Sequence, residues 1–294
     1  MPVMLSGMGG DEVFAGYPRH LAWRIARALA TLPRPLLRAL EHAAAPVARP
    51  GNPGRLRGPR RNLWKFMRAA GLEPLDRYLS FSSYYSEPEL RQLLVPGVVE
   101  ADYDPLALHR SYLMTDHGGD DLSRLLYLDA KTFLPCLNLA YTDKMGMAAS
   151  VEVRVPLLDD DLVDLAAKIP SSLKLHGWRR KYIFKRSQEG ILPREIIWRR
   201  KAGFGAPLRS WLVGDLAPLV EDLLSNQTLR SRGFVDPSVV ARLRAENVAG
   251  TSDNSLRLYA LLSLELWCRT FLDRSWSFDA TGDGVTSSPV IATV

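Results

Sequence analysis

The stretch Asp129–Asp159, DAKTFLPCLNLAYTDKMGMAASVEVRVPLLD, decides how the rest of the chain is read. Within it Phe133, Leu137, Tyr141 and Met145 recur at four-residue steps, which places them on one face of a helix. Pro135 falls near the start of that pattern and either sits in a first turn or marks a kink. From Val151 the texture changes: Val151, Val153 and Val155 alternate with Glu152, Arg154 and Pro156. Alternation predicts a short extended segment, and Pro156 disfavours a helical conformation at Val155. In an extended segment Glu152 and Arg154 project from the same side. Charges in so apolar a setting need partners, because burying an unpaired one is costly. The pair reads either as a structural brace at a turn or as polar lining of a cleft. Asp143 and Lys144 allow the same two readings.

Around this stretch the composition is that of a soluble globular protein, 47% hydrophobic and 24% charged over 294 residues, enough for one large domain or two small ones. No run approaches membrane-spanning length, and MPVMLSG lacks the charged start and long apolar core of a signal peptide. Cys136 and Cys268 are the only cysteines, neither beside a second metal-ligating residue type at close spacing, so no disulfide framework is expected. A reducing, cytoplasmic setting is the expectation. The net charge is +6. The basic residues are spread over several segments with no nucleic-acid recognition motif, so neither a nucleic-acid nor a membrane partner is expected.

Ahead of the central stretch, Val3-Met4-Leu5 reads as a strand end entering the glycine-rich loop Ser6-Gly7-Met8-Gly9-Gly10-Asp11-Glu12. Such loops allow close backbone approach to a ligand and can form anion-binding nests. Leu21–Leu40 is helical in pattern, interrupted by Pro33 and Pro35. Ala48–Arg61 is a proline- and glycine-dense loop. Leu63–Leu94 reads as short helices in which Trp64, Phe66, Met67, Tyr78, Phe81, Tyr84 and Tyr85 supply core or core edge. Asp116, His117, Asp120 and Asp121 do not have the spacing of a helical ligand pair and read as a turn with an acidic cap.

Beyond the central stretch, Asp159–Asp161 sit at a helix start, where negative charge is favoured, with Leu162, Leu165, Ala166 and Ile169 as its buried stripe. Lys174–Lys201 carries the densest positive charge of the chain, and Lys181 and Lys185 lie one helical turn apart on one face. A field of that kind suits a phosphate-bearing ligand as well as it suits a solvated basic face. Leu216–Leu224 and Val239–Arg244 are amphipathic helices. Leu256–Phe271 is a stronger one, with Leu258, Leu261, Leu262, Leu266 and Trp267 inward. The tail from residue 276 reads as disordered.

Three strings together resemble the synthetase part of the glutamine-hydrolysing asparagine synthetase family. The first is Leu134-Pro135, Asp143, Met147, then Glu152, Arg154, Pro156 and Asp159. The second is Ser6, Gly7, Gly9, Asp11 and Glu12 followed by Phe14, Gly16 and Tyr17. The third is Gly177, Lys181, Lys185, Leu192-Pro193, Arg199, Lys201, Gly203-Phe204, Pro207 and Trp211.

The resemblance implies an ATP-dependent amide ligase that activates a side-chain carboxylate, aspartate in the first instance, as an acyl-adenylate. Ammonia would come from a glutaminase domain or subunit outside this chain. Asp11 would hold the Mg2+ that accompanies ATP. Ser6, Gly7, Gly9, Asp11, Lys181 and Lys201 would bind the nucleotide, and Lys181, Glu152 and Arg154 would be the catalytic residues, Lys181 as the cation and Glu152 and Arg154 shaping the cleft.

The family's S-G-G-x-D-S loop is absent from this sequence, and Met8 stands where the family carries a carboxylate. The fold expected is therefore mainly α: the C-terminal, mostly helical part of an α/β ATP-pyrophosphatase-type domain over residues 1–275, with a short strand near residues 3–5. An exposed face is expected where the sheet would continue, suited to a partner chain completing the ATP site. A catalytically inactive remnant, a subunit of a split enzyme, or a ligase for another carboxylate are the alternatives.

Overall fold

The computed structural model describes residues 2–33, 71–100, 102–115, 118–199 and 206–273, with isolated positions between 35 and 69. The loop 48–61, Trp64, Phe66, Met67, Asp116, His117, Lys201, Gly203-Phe204 and the tail from residue 276 lie outside the described residues.

In chain order the elements are β1 (Val3–Leu5), α1 (Gly10–Val13), α2 (Pro18–Leu29), α3 (Pro74–Leu79), α4 (Glu87–Leu93), α5 (Ala107–Met114), α6 (Asp121–Lys131), a π-helical turn (Leu134–Leu139) and α7 (Ala140–Ala148). Then follow β2 (Glu152–Arg154), a 3-10 turn (Pro156–Leu158), α8 (Asp160–Lys168), α9 (Ser171–Lys174), β3 (Leu175–His176), β4 (Arg179–Arg180), α10 (Tyr182–Ser187) and α11 (Arg194–Ile197). The chain closes with α12 (Leu208–Val213), α13 (Ala217–Leu223), α14 (Asn226–Arg232), α15 (Pro237–Ala249) and α16 (Ser255–Phe271). The mainly helical class expected from the sequence is what forms. The chain packs as two units, residues 1–86 with 99–204, and residues 87–98 with 205–294.

The first unit is built on Trp23, Tyr78, Leu79, Leu122, Leu125, Leu126, Leu128 and Leu175, drawn from α2, α3, α6 and β3. Of the two acids ahead of the leucine run, Asp120 is the one that caps α6, accepting from the Ser123 amide at 2.9 Å. The extended segment also forms as read. β1 and β2 pair in parallel, Val3 opposite Glu152, Met4 opposite Val153 and Leu5 opposite Arg154. The ladder runs on at both ends through Glu152 N to Pro2 O and Ser6 N to Arg154 O. This pairing brings the second motif string beside the first.

Val3, Met4 and Leu5 are 50%, 52% and 70% exposed, the open face expected there. A parallel pair is ordinarily covered on both faces. The helix expected from Phe133 to Met145 is not one continuous α-helix. Pro135 cannot donate to the helical ladder, and the chain takes a wider π turn before α7 begins. Leu137, Tyr141 and Met145, read as one helix face, are exposed.

Two further stripes are corrected. On α8 Asp159 caps the helix as expected, but of its apolar residues Ala166 is buried while Leu165 is exposed. On α16 Leu258, Leu261, Leu262 and Cys268 are buried, whereas Leu266 and Trp267 face out. The next inward position after Leu262 on a 3.6-residue repeat is Glu265, which is buried and ion-paired to Arg232 and Arg269.

Candidate functional site

The glycine loop leaves β1 and turns at Gly9, whose φ of +83° lies in the left-handed region that suits glycine. A side chain there would also strike Leu158, and one at Gly10 would strike Leu157. The 3-10 turn that follows β2 thus floors the loop. What the E-x-R-x-P-x-x-D string contributes to the loop is Leu157 and Leu158. Glu152 and Arg154 pair with each other at 2.7 Å on the surface. The pair is local to one strand, two residues apart, and its side chains stay open to solvent.

From the loop the two acids of the D-E pair diverge. Asp11 points to Lys181, with Oδ1 3.1 Å from Nζ, each side chain about one-fifth exposed. Glu12 points inward and is 1% exposed. It accepts from the Tyr17 hydroxyl at 2.7 Å and from Asn138 Nδ2 at 3.0 Å. Burial and the neighbouring Glu12 carboxylate push the Tyr17 hydroxyl above its ordinary range, so it serves as a neutral donor. The π turn carries Asn138 to this spot.

Gly16 closes the loop against the ion pair. A Cβ on Gly16 would lie 1.8 Å from Asp11 Oδ1 and 2.2 Å from Lys181 Cε. Phe14 stacks on Phe184 of α10 at 5.0 Å, tying the loop to the segment that carries Lys181.

Lys181 is not inside a helix with Lys185, as the four-residue spacing suggested. It caps α10 in the left-handed conformation, φ +53° and ψ +36°, while its carbonyl accepts from the Lys185 amide. A non-glycine residue in a sparsely populated backbone region costs on the order of 1–3 kcal/mol and persists where the surroundings over-determine it. Here the conformation turns the ammonium toward Asp11 instead of along the helix. Arg180, just before it, donates from Nη1 to the Gly16 carbonyl at 2.8 Å. Burial followed by the charges of Arg180 and Lys181 lowers the Lys185 ammonium below its ordinary range. Lys181 and Arg180 both lie within electrostatic reach of Asp11, and Lys185, whose ammonium sits 5.2 Å from the Trp198 ring centroid, adds positive charge behind them. Positive charge concentrated in this way suits a multivalent anion.

Mg2+ is held by hard oxygens, one or two carboxylates plus phosphates. Asp11 offers one such carboxylate, and no group of three or more metal-ligating side chains occurs among the described residues. The donor set fits an ion that arrives with a phosphate chain. Asp143 and Lys144 are exposed, and Lys201 lies outside the described residues.

Sequence reasoning missed a second polar cluster. Asp129, 4% exposed, takes hydrogen bonds on Oδ2 from Tyr78 at 2.5 Å and Arg19 at 2.9 Å, and His20 Nε2 lies 2.9 Å away. The Arg19 guanidinium lies over the rings of Tyr17 and Phe133, 4.1 and 4.3 Å from their centroids. Burial alone would raise the Asp129 carboxyl; the His20 hydrogen bond and the Arg19 charge outweigh it and hold the carboxyl below the usual range. The signal available was an acid directly after the apolar run Leu125 to Leu128.

The sequence profile of the asparagine synthase family matches residues 1–269. This chain belongs to the asparagine synthase family. It is similar to "Asparagine synthetase [glutamine-hydrolyzing] 1" of Bacillus subtilis, 30% identical over 270 residues, covering 90% of this chain and 40% of the relative. It is similar to a "Putative asparagine synthetase [glutamine-hydrolyzing]" of Mycobacterium bovis, 30% identical over 274 residues, covering 93% and 40%. A shorter likeness, 32% over 117 residues covering 37% and 17%, is to "Amidase chyE" of Penicillium rubens. The chain thus spans about two fifths of the length of the asparagine synthetases it matches. No solved structure matches. No helix among the described residues is long and apolar enough to cross a membrane.

In the string S-G-x-G-x-D-E…F-x-G-Y, every specified letter except Gly7 has a visible physical task in this chain. Ser6 Oγ accepts from the Met8 amide at 3.4 Å, Gly9 makes the turn, Asp11 meets the lysine, and Glu12 and Tyr17 lock the underside. Phe14 stacks and Gly16 makes room. Met8 receives the Thr142 hydroxyl on its sulfur at 2.9 Å, so this loop position is apolar and turned to α7.

Proposed function

We propose that this chain carries the ligase chemistry of an ATP-dependent amide synthetase, with aspartate as the favoured acceptor. The supporting observation is the Asp11–Lys181 pair inside a surplus of positive charge from Arg180 and Lys185. Asp11 would hold Mg2+, which supplies charge neutralisation for the phosphate chain of ATP. Ser6, Gly7 and Gly9 would let the loop backbone approach the nucleotide. Lys181 would swing from Asp11 to the phosphates as the carboxylate is adenylated and pyrophosphate departs, placing fixed positive charge where negative charge develops. Ammonia, delivered from a glutaminase domain or subunit, would then displace AMP. Lys201 is assigned to the same field on the motif alone.

Lys181→Gln in the complete, ammonia-supplied protein should abolish ATP-dependent amide formation and pyrophosphate release. Turnover equal to the parent would remove Lys181 from the reaction.

A second reading, amide formation on a carboxylate other than aspartate, is favoured by Met8. A thioether offers at most a weak acceptor and cannot take up a proton or polarise ammonia as a carboxylate does. Pyrophosphate release measured across a panel of carboxylic acids separates the two readings: aspartate alone for the first, another acid for the second.

A further inference from the structure

We propose that Arg180 is a positioning residue for the phosphate-binding pair: by holding the Gly16 carbonyl, it keeps the loop closed around Asp11 and fixes the turn that aims Lys181. The inference rests on the phosphate-handling role argued above. Arg180 and Gly16 are 164 residues apart, yet the guanidinium donates to that carbonyl at 2.8 Å. Gly16 is buried and is the residue against which both members of the pair pack. Its own amide donates to the Asp11 carbonyl at 2.7 Å, so the residue whose carbonyl Arg180 grips is tied on its amide side to the residue bearing the carboxylate.

On the other side, Arg180 directly precedes Lys181, whose left-handed backbone needs fixing at both ends. The Lys185 amide fixes the far end and Arg180 the near one. The guanidinium is partly withdrawn from water, and burial lowers its pKa against the opposing pull of Asp11. A long cation held in that way is anchored, not waving in solvent. Arg179, its neighbour, faces the other way, with its guanidinium 5.1 Å from the Trp198 ring centroid.

The test is calorimetric binding of inorganic pyrophosphate with Mg2+ to the full chain, with circular dichroism and thermal midpoints confirming folding of each variant. Arg180→Met should weaken binding at least tenfold and Arg180→Lys, which keeps a donor, by less than threefold. Gly16→Ala should weaken binding about tenfold by forcing the pair apart. Because both changes act through the placement of Gly16, the double variant should be less than threefold weaker than either alone.

Arg180→Met binding as tightly as the parent overturns the inference. So does a double variant weakened by the product of the two single effects, which would mean that Arg180 touches the anion itself. In both cases the phosphate-binding reading stands. Failure of the folded parent chain to bind pyrophosphate instead sinks that reading, and this inference with it.

Discussion

Gly16 has no room for a side chain, and the reason lies in two atoms, Asp11 Oδ1 from the same loop and Lys181 Cε from far along the chain. Gly16→Ala should therefore injure anion binding far more than stability, since both obstructing groups are side-chain ends that can swing away. A thermal midpoint lowered by more than the loss in pyrophosphate affinity can explain would contradict this. Asp129 is the opposite case, a residue whose work is stability. Removing one partner of a buried ion pair costs about 3–5 kcal/mol. Asp129→Asn should cost on that order in urea unfolding at pH 7.

The pH dependence of that contribution follows from the depressed Asp129 carboxyl. A carboxyl whose pKa is lower in the folded than in the unfolded state stabilises the fold above the unfolded value, about 3.9. The contribution disappears as pH falls below that value and through the folded one. The stability difference between parent and Asp129→Asn should accordingly shrink between pH 5 and pH 3; a constant difference would refute the linkage.

At the scale of elements, helix starts in this chain are set by short polar side chains and helix faces by what fills each inward position. Asp120 caps α6 and also receives the Ser171 hydroxyl at 2.6 Å, joining α6 to α9. Asp120→Ala should destabilise the fold by about 1–2 kcal/mol, the usual range for a lost cap, and by less if Ser171 is first replaced by Ala. On α16 the apolar run misleads. Leu262→Ala, at a buried site, should cost about 2–5 kcal/mol, and Trp267→Gln, at a half-exposed one, under about 0.5 kcal/mol. Denaturant midpoints of the two variants decide whether Glu265 indeed holds the inward slot. In the central stretch Pro135 and the π turn convert one expected helix into two segments, and that change delivers Asn138 to Glu12.

For the whole molecule, the surplus of 38 basic over 32 acidic residues matters where it is concentrated. Arg180, Lys181 and Lys185 are only partly buried, so salt screens the approach of an anion to them. Pyrophosphate affinity should fall severalfold between 50 and 300 mM salt, checked by titration; an insensitive affinity would point to a site elsewhere. The β1–β2 pair leaves Val3, Met4 and Leu5 exposed. Each of the two units carries its own buried apolar residues, with Trp23, Tyr78 and Leu128 in the first and Val240, Leu258 and Leu262 in the second.

The sequence by itself determined the family, the helical class, the strand at Val3–Leu5, the acidic helix starts at Asp120-Asp121 and Asp159, and Asp11 and Lys181 as candidates. These depend on local chemistry: glycine where the backbone must turn, short acids at helix starts, alternation in a strand. Only the tertiary structure decided that Asp11 and Lys181 meet, that Lys181 stands in a left-handed cap instead of on a helix face, and that Glu152 and Arg154 satisfy each other at the surface. It alone assembled the buried cluster of Arg19, His20, Tyr78 and Asp129. A one-dimensional pattern records how far apart residues are along the chain. It cannot record which buried charge will find which partner, because that choice is made by packing between segments more than 100 residues apart, as between His20 and Asp129.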